Sequence, residues 1–241
     1  MKQPSTLADA FEEICVSDAP LNKRLGAYAE KLRELNFPFA EAYDTMVARV
    51  LAGEVGHMAP SVGDPMPDFI LPGRDGKLIS LDDVTQRGPV VLSFNRGHWC
   101  SFCKIELRTI AEHHSEITAA GAEMVSIIPD RQQFLQPLRT MILDRFQILT
   151  DLDNGYALSL GLVMWIGEHL KGLMKGRGYH LETYHGSDGW FVPVPATFVV
   201  AKDKTVLARF VDPDFRRRME IEEILSALGA GGPKTEKSGT A

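Results

Sequence analysis

Two cysteines three residues apart, Cys100 and Cys103, stand shortly after an apolar run that occupies residues 89–94. From Cys100 onward, apolar residues recur at spacings of three and four, which is typical of a helix with one buried face. The pattern therefore predicts a buried strand followed by a helix whose first turn carries both sulfurs. This order of strand, cysteine pair and helix is one that thiol redox chemistry uses.

The place of Cys100 at the start of the predicted helix favours its thiolate form. Unpaired backbone N–H groups and the positive end of the helix dipole stabilise a negative charge there. Cysteines in such positions have pKa values of roughly 3.5 to 7.5, against about 8.5 for a free cysteine. Because residues i and i+3 of a helix lie on one side, Cys103 can form a disulfide with Cys100. We therefore expect Cys100 to attack and Cys103 to resolve.

The cysteine pair has two alternative interpretations. Zinc needs four ligands, but the sequence offers no second pair at ligand spacing, and His98 would leave the site one ligand short. The pair could also be structural, because free cysteine is among the most buried residue types. Cys15 stands alone in a helical stretch and is expected to be structural. No metal ion and no organic cofactor is expected.

Composition and charge exclude several classes of protein. The 241 residues are 44% apolar and 24% charged, as in ordinary globular proteins. With a net charge of −6 and no extended basic cluster, the chain is not expected to bind nucleic acid. The start of the chain does not resemble a signal peptide, and the longest apolar run, residues 157–167, is too short to span a bilayer. Three cysteines suit a reducing cytosol, so we expect a cytoplasmic protein without a membrane partner.

Periodicity divides the chain into three regions. Residues 1–60 follow a helical period and predict a helical extension, and turn formers between residues 53 and 66 mark its boundary. Residues 61–229 alternate short apolar runs with helical patterns, which indicates an α/β sandwich with a partly parallel sheet. Residues 230–241 are small and polar and are expected to be disordered. The predicted strands are 69–71, 78–81, 90–94, 123–128, 147–150, 197–200 and 206–211, and the predicted helices of this region are 100–118, 131–145, 154–160 and 220–228.

The segment 162–194 is longer than a connection in a compact domain should be. It begins with apolar residues on one predicted helical face and continues into a glycine-rich part. The simplest interpretation is an amphipathic helix and a surface loop that pack on the core; a lid over the thiols, a dimer contact, and a haem or metal pocket are alternatives. His180 and His185 lack metal-ligand spacing. The predicted helical face consists of Trp165, Ile166, His169, Leu170, Leu173 and Met174.

Six short motifs occur in one order along residues 61–228. They are Val62-Gly63-Asp64-Pro65-Met66-Pro67-Asp68-Phe69, the Asp75-Gly76-Lys77 hairpin, the strand that leads to Cys100, Ile128-Pro129-Asp130, Leu149-Thr150-Asp151, and Pro195-Ala196-Thr197-Phe198-Val199-Val200. Together they resemble the alkyl hydroperoxide reductase and thiol-specific antioxidant family, the peroxiredoxin-like branch of the thioredoxin fold. The resemblance implies a thioredoxin-like sandwich with a central mixed sheet, carrying a thiol that reduces peroxides or exchanges with disulfides. It further implies a thioredoxin- or glutathione-type electron donor, and we expect a homodimer.

The chain departs from the family pattern around its cysteines. The Pro and Thr that the family carries before its reactive cysteine are absent from residues 93–99. Measured from Cys103, the Thr place is held by Cys100, and Glu106 takes the family's acidic place. Pro195 stands where the family has an arginine, and it resembles the cis proline of thioredoxins. We therefore expect the Val194–Pro195 peptide bond to be cis and its backbone to receive an incoming disulfide or thiol.

Neighbours of the cysteines are expected to assist. Arg96 and His98 place cations beside the pair, which would favour a thiolate, and Trp99 is expected to form a wall of the site. Without the family's Thr and Arg, the chain should react slowly with hydrogen peroxide and reduce disulfides measurably. The alternative is a non-catalytic redox sensor or partner-binding protein on the same fold.

Overall fold

The computed structural model describes residues 6–231, and their central feature is a five-stranded mixed sheet. The strands of this described range are β1 Ile70–Pro72, β2 Leu78–Ser80, β3 Val90–Phe94, β4 Glu123–Ile128, β5 Gln147–Thr150, β6 Val163–Trp165, β7 Phe191–Pro193, β8 Ala196–Val200 and β9 Val206–Val211. The sheet order is β5-β4-β3-β8-β9. Strands β3, β4 and β5 run parallel, whereas β8 and β9 are antiparallel to their neighbours. The predicted α/β fold with a central mixed sheet is confirmed.

Helices cover both faces of this sheet, which explains why its inner strands are almost wholly buried and mostly apolar. Every residue of β3 is buried, as expected for a strand packed on both sides. The helices are α1 Leu7–Cys15, α2 Leu21–Leu35, α3 Phe37–Ala52, α4 Leu81–Thr85, α5 Ser101–Glu112, α6 His114–Ala119, α7 Gln136–Met141, α8 Gly155–Ser159, α9 Glu168–Gly176, α10 Leu181–His185 and α11 Ile221–Gly231. Short 3-10 turns occupy Gln132–Phe134 and Leu152–Asn154. Within residues 6–231, no helix combines the length and hydropathy needed to cross a bilayer.

The three N-terminal helices pack on the helix that carries the cysteines. Leu25 and Tyr28 of α2 belong to the same buried apolar cluster as Phe102 and Cys103 of α5. Arg24 of α2 also forms an ion pair of 2.7 Å with Glu112 at the other end of α5. The helical character predicted for residues 1–60 is thus found in α1 to α3, and residues 1–5 lie outside the described range.

Three predicted helices differ from the observed ones. The helix predicted over 100–118 is divided at His113, where ψ is 12°. The helix predicted over 131–145 shortens to a 3-10 turn and α7, because Leu143 and Asp144 have positive φ angles of 55° and 53°. The last helix runs to Gly231, although the disordered tail was expected from residue 230; residues 232–241 lie outside the described residues.

The segment 162–194 forms a small unit of its own. Strands β6 and β7 pair antiparallel, and α9 and α10 lie between them in the chain. The prediction that Trp165 shares a helical face with Met174 is wrong, since Trp165 ends β6 and pairs with Phe191. Gly167, at φ 92°, separates β6 from α9 with a backbone conformation that a side chain would strain.

Candidate active site

The loop after β3 delivers Cys100 to the start of α5, as the sequence predicts. Cys100 is the N-cap residue, with extended backbone angles, and its sulfur accepts a hydrogen bond of 3.3 Å from the backbone N–H of Cys103. N-cap positions normally hold an oxygen acceptor for these free N–H groups. Gly97 makes the loop possible, because it has a φ of 148° and a Cβ there would lie 2.3 Å from Nε1 of Trp99. A sulfur that takes the capping role is stabilised as a thiolate.

The two sulfurs lie against each other and are almost shielded from solvent. Both cysteines are free, and the Sγ atom of Cys103 donates to that of Cys100 over 2.7 Å. The exposed fraction is 2% for Cys100 and 1% for Cys103. The geometry therefore suits a dithiol in which one sulfur is charged and the other carries the shared proton.

Arg96 is a buried cation aimed at Cys100. Its Nη2 donates to the Cys100 sulfur over 3.2 Å. The guanidinium lies 3.6 Å from the ring centre of Phe215, and 5.5 and 5.6 Å from those of Trp99 and Tyr43. Such rings attract a cation through their faces. Among residues 6–231 no carboxylate stands within ion-pair distance of Arg96, so the thiolate is its counterion.

A second buried arginine, Arg218, lies behind Cys103. Its Nη2 approaches the Cys103 sulfur to 3.8 Å, and its Nε pairs with Glu106 at 2.8 Å. The other oxygen of Glu106 accepts hydrogen bonds from Ser93 at 3.0 Å and from Thr197 at 3.4 Å. Glu106 is therefore held beneath the cysteine helix by strands β3 and β8. Glu106 is the ion-pair partner of Arg218, whereas Arg96 has no carboxylate partner among the described residues and faces the sulfur.

These contacts separate the pKa values of the two cysteines. Burial opposes the Cys100 thiolate, but the Cys103 thiol, Arg96, Arg218 and the Cys103 backbone N–H together lower the pKa of Cys100 to about 5. Burial and the adjacent negative sulfur raise the pKa of Cys103 well above its usual range. At neutral pH the arrangement therefore holds one thiolate and one thiol. This is the pair of species that attack and resolution require.

Comparison with known proteins places this site in a family. A sequence model described as the AhpC/TSA family matches residues 62–209, more than half of the chain. The chain belongs to the AhpC/TSA family. The predicted membership of the peroxiredoxin-like branch is thereby confirmed.

Solved structures share the fold of this AhpC/TSA chain at low sequence identity. Peroxidoxin BcpB from Mycobacterium tuberculosis superimposes with a TM-score of 0.54 at 22% identity, covering 70% of this chain and 96% of the other. A mutant of peroxiredoxin 6 from Arenicola marina gives a TM-score of 0.56 at 16% identity, covering 71% and 73%. These likenesses confirm the predicted thioredoxin-like sandwich.

A curated relative is similar over a shorter stretch of the AhpC/TSA chain. The thiol-disulfide oxidoreductase ResA of Bacillus subtilis is 35% identical over 72 residues, which is 30% of this chain. The match spans 39% of the length of ResA.

Of the expected assisting residues, this AhpC/TSA protein brings Arg96 and Trp99 to the cysteines but uses Pro195 differently. Trp99 is 6% exposed and faces the Arg96 guanidinium, as a wall of the site. The expectation of a cis bond at Val194–Pro195 is wrong, because the described residues contain no cis peptide. The N–H of Val194 donates to the carbonyl of Leu162, so segment 162–194 already occupies this backbone edge. Pro195 is also buried.

His98 anchors the cysteine loop instead of facing the sulfurs. The buried carboxylate of Asp130 accepts from the His98 backbone at 2.6 Å and from its ring Nδ1 at 2.9 Å. Nε2 of His185, from α10, lies 3.2 Å from the other Asp130 oxygen. Burial disfavours the charge, but the two histidines hold the pKa of Asp130 below its usual range. The cluster ties segment 162–194 to the loop that carries Arg96.

The described residues contain no group of three or more His, Cys, Asp or Glu side chains placed to hold a metal ion. Cys15, the last residue of α1, points into the core, and burial raises the pKa of its thiol to about 11. Its surroundings therefore favour an unreactive thiol.

Two residues of the site, Arg218 and Phe215, were not predicted from the sequence. They belong to the run Phe215-Arg216-Arg217-Arg218, in which nothing distinguishes the buried arginine from its solvated neighbours.

A cavity of about 210 Å³ lies outside the cysteine turn, and we call it the aromatic cavity. Trp99, Ser101 and Phe102, which flank Cys100 in the chain, form part of its lining. Its other walls come from α1, α2, α3, α9 and the residues after α9. They include Tyr28, Leu32, Phe39, Tyr43, Met174 and Tyr179.

Proposed function

We propose that the chain is a thiol-dependent peroxidase in which Cys100 attacks and Cys103 resolves. The Cys100 thiolate attacks one peroxide oxygen, the S–O bond forms as the O–O bond breaks, and the leaving oxygen takes a proton. The sulfur becomes a sulfenic acid and the peroxide is reduced to an alcohol or water. The Cys103 sulfur then attacks the sulfenic sulfur, water leaves, and a disulfide remains. Its reduction by an external dithiol closes the cycle.

One observation carries this proposal: Arg96 is buried against Cys100 with no carboxylate counterion among the described residues. A buried charge is costly unless it is paired, so the site is built for a negative sulfur. Nε of Arg96 is buried without a hydrogen-bond partner in the described structure. Donors aimed at developing charge stabilise the transition state of such reactions. Arg96 therefore supplies a donor in place of the family's absent Thr and Arg.

Burial of the sulfurs favours a small oxidant. With both cysteines at 2% exposure or less, a protein disulfide would have to displace part of the N-terminal helices before reaching Cys100. The occupied edge at Val194 offers such a partner no free backbone donor at that point. Both observations support peroxide as the first candidate oxidant, which replaces the expectation, drawn from the missing Thr and Arg, of slow peroxide reduction beside measurable disulfide reduction.

Thiol–disulfide exchange is the second candidate. The similarity to ResA and the Cys-x-x-Cys spacing support it. It needs an accessible thiol with a low pKa and a second thiol to resolve. A non-catalytic redox sensor differs from both candidates, because it would not cycle repeatedly with a reductant.

Stopped-flow mixing tests the proposal. The fully reduced protein is mixed with hydrogen peroxide, with an organic hydroperoxide and with a generic disulfide, and loss of both thiols is followed by tryptophan fluorescence and by mass. We expect faster oxidation by hydroperoxide than by disulfide. Cys100→Ser should abolish oxidation by hydroperoxide. In Cys103→Ser the oxidation should stop at the sulfenic acid of Cys100, and Cys15→Ser should be oxidised at the same rate as the parent. Oxidation by disulfide alone would select the second candidate.

We also propose the finer features that the sequence predicts. These are the division into a helical extension (1–60) and a redox domain that begins at residue 61, a homodimer, a cytoplasmic location and a thioredoxin- or glutathione-type donor. Family membership supports a thioredoxin-type reductant. A coupled assay with each donor system, together with sedimentation velocity, tests the donor and the dimer. If neither donor system supports turnover, the sensor alternative is favoured.

A further inference from the structure

The aromatic cavity is larger than hydrogen peroxide requires. Its 210 Å³ equals the volume that about seven water molecules take up in the liquid. It is smaller than the pockets of drug-sized ligands, which begin at roughly 300 Å³. Its walls are mostly aromatic and aliphatic, with a few polar groups such as Ser101 and Asn36. This composition is typical of a site for a small organic molecule.

Half of the residues that line the cavity lie outside the region that matches the family. Helices α2 and α3, which provide Leu32, Phe39 and Tyr43, precede the family match at residue 62. Tyr43 lines the cavity and also faces the Arg96 guanidinium at 5.6 Å. A ligand in the cavity would therefore lie against the residues that surround the reactive sulfur.

The rim of the cavity carries a positive charge. Among the described residues that line it, Arg177 alone has a charged side chain. Arg177 is exposed, and its guanidinium lies 6.0 Å from the ring centre of Phe39. No carboxylate of residues 6–231 stands within ion-pair distance of it. The neighbouring Lys175 is different, because it pairs with Glu182 at 3.1 Å.

We propose that the aromatic cavity binds the organic part of the oxidant, and that the preferred oxidant is an alkyl hydroperoxide that bears one aromatic ring, called an aryl hydroperoxide below, and a carboxylate, which Arg177 recognises. The inference rests on the proposed peroxidase function and adds a substrate class to it. The aryl group fills the cavity, the carboxylate lies at the rim, and the hydroperoxide points to the Cys100 turn. Attack forms the S–O bond as the O–O bond breaks, and the remaining oxygen takes a proton and leaves as the alcohol of the organic part.

Two matched hydroperoxides test the proposal. Cumene hydroperoxide and its 4-carboxy derivative share a reacting group and differ in charge, and hydrogen peroxide lacks the aryl part. Second-order rate constants for oxidation of the reduced full-length protein are measured for all three. We expect the aryl compounds to react faster than hydrogen peroxide. The carboxylate should add about a threefold preference, the size of an exposed ion pair.

Two variants, with one control, separate the contribution of the cavity volume from that of the charge at its rim. Arg177→Gln should bring the ratio of carboxylated to neutral aryl hydroperoxide to about one. Arg217→Gln, which removes an exposed arginine that does not line the cavity, makes the same change of net charge and should leave that ratio at its parent value. Leu32→Phe narrows the cavity and should lower the ratio of aryl hydroperoxide to hydrogen peroxide by about tenfold.

The outcomes distinguish the substrate class from the function. Thiols that react with all three peroxides at similar rates, or an Arg177→Gln ratio equal to that of the parent, would overturn the cavity proposal while the peroxidase function stands. Thiols that resist every peroxide would refute the function itself. If 4-isopropylbenzoate, which lacks the peroxide, slows oxidation of the parent by hydrogen peroxide but not of Leu32→Phe, the cavity is occupied as proposed.

Discussion

At the scale of single residues, the reactivity of Cys100 depends on what replaces water around its sulfur. A buried thiol normally stays protonated, as Cys15 does with a pKa raised to about 11. Cys100 is equally buried but meets a guanidinium, a thiol and a backbone N–H. Three donors compensate for the lost solvent. The contrast within one chain indicates that donors, and not exposure, set the charge of the sulfur.

The first prediction concerns pH. Because the folded pKa of Cys100 is lowered to about 5, its thiolate persists above that value and is lost as the pH falls through it. Alkylation of Cys100 by iodoacetamide should therefore rise to half its maximum near pH 5 and be level at neutral pH. Limiting reagent should label Cys100 before Cys103, as peptide mass spectrometry would reveal. A midpoint near the free-cysteine value of about 8.5, or earlier labelling of Cys103, would contradict the assignment.

A second prediction tests Arg96. Replacing it by Met removes the cation and the donors while keeping an apolar stem against Phe215. We expect the alkylation midpoint to move to higher pH and peroxide oxidation to slow by about a hundredfold, the cost of one catalytic donor elsewhere. Arg96→Lys should keep part of the pH shift because it keeps the charge. Arg87→Met removes an exposed arginine and serves as the control. An unchanged midpoint in Arg96→Met would exclude this role.

At the scale of elements, α2 depends on a carboxylate from the far end of the chain. Pro20, its N-cap residue, provides no side-chain cap. Instead Glu220, just before α11, accepts from the backbone N–H groups of Leu21 and Asn22, each at 3.0 Å. The contact joins the N-terminal helices to the end of the redox region. It also orients α2, which bears Tyr28 and Leu32 of the aromatic cavity.

The third prediction follows from this cap. Glu220→Ala should lower the free energy of unfolding by about 1 kcal/mol, as loss of other N-caps does. Glu220→Gln keeps one acceptor oxygen and should cost less. Urea unfolding followed by far-UV circular dichroism measures both, with Glu222→Ala on the exposed side of α11 as the matched control. Equal stability of Glu220→Ala and Glu222→Ala would show that the cap contributes nothing.

Some elements could be predicted from sequence and others could not, for physical reasons. Strands β3, β4, β5 and β9 were predicted with their exact bounds because each is a short, largely apolar run within one segment, although β9 is only half-buried. The short α7 was overextended because Leu143 and Asp144 turn the chain with positive φ angles that neither residue signals. Cys100, Cys103 and Arg96 were found because they are close in sequence. Arg218 was missed because 115 residues separate it from Cys103.

At the scale of the whole molecule, the N-terminal helices and the redox region share one core. The buried cluster that contains Leu25 and Val47 also contains Cys100, Phe102 and Phe215. Removing the helices would expose the apolar surface of this cluster and would remove the Tyr43 ring that faces the Arg96 guanidinium. Single domains rarely expose apolar patches of more than a few hundred Å². The N-terminal helices therefore act as a structural part of the thiol site.

The last prediction tests this dependence. Deleting residues 1–60 should give a protein that aggregates or melts at lower temperature, and any folded fraction should be alkylated at Cys100 faster than the parent because its cover is gone. Point variants refine the test. Leu25→Ser, at a fully buried position, should cost several kcal/mol, about 2 to 5 by analogy with other core truncations. Val16→Ser, at a position 72% exposed, should change the stability little. A truncated protein that stays monomeric with an unchanged melting temperature and unchanged Cys100 alkylation would mean that the redox region folds and shields its thiols alone.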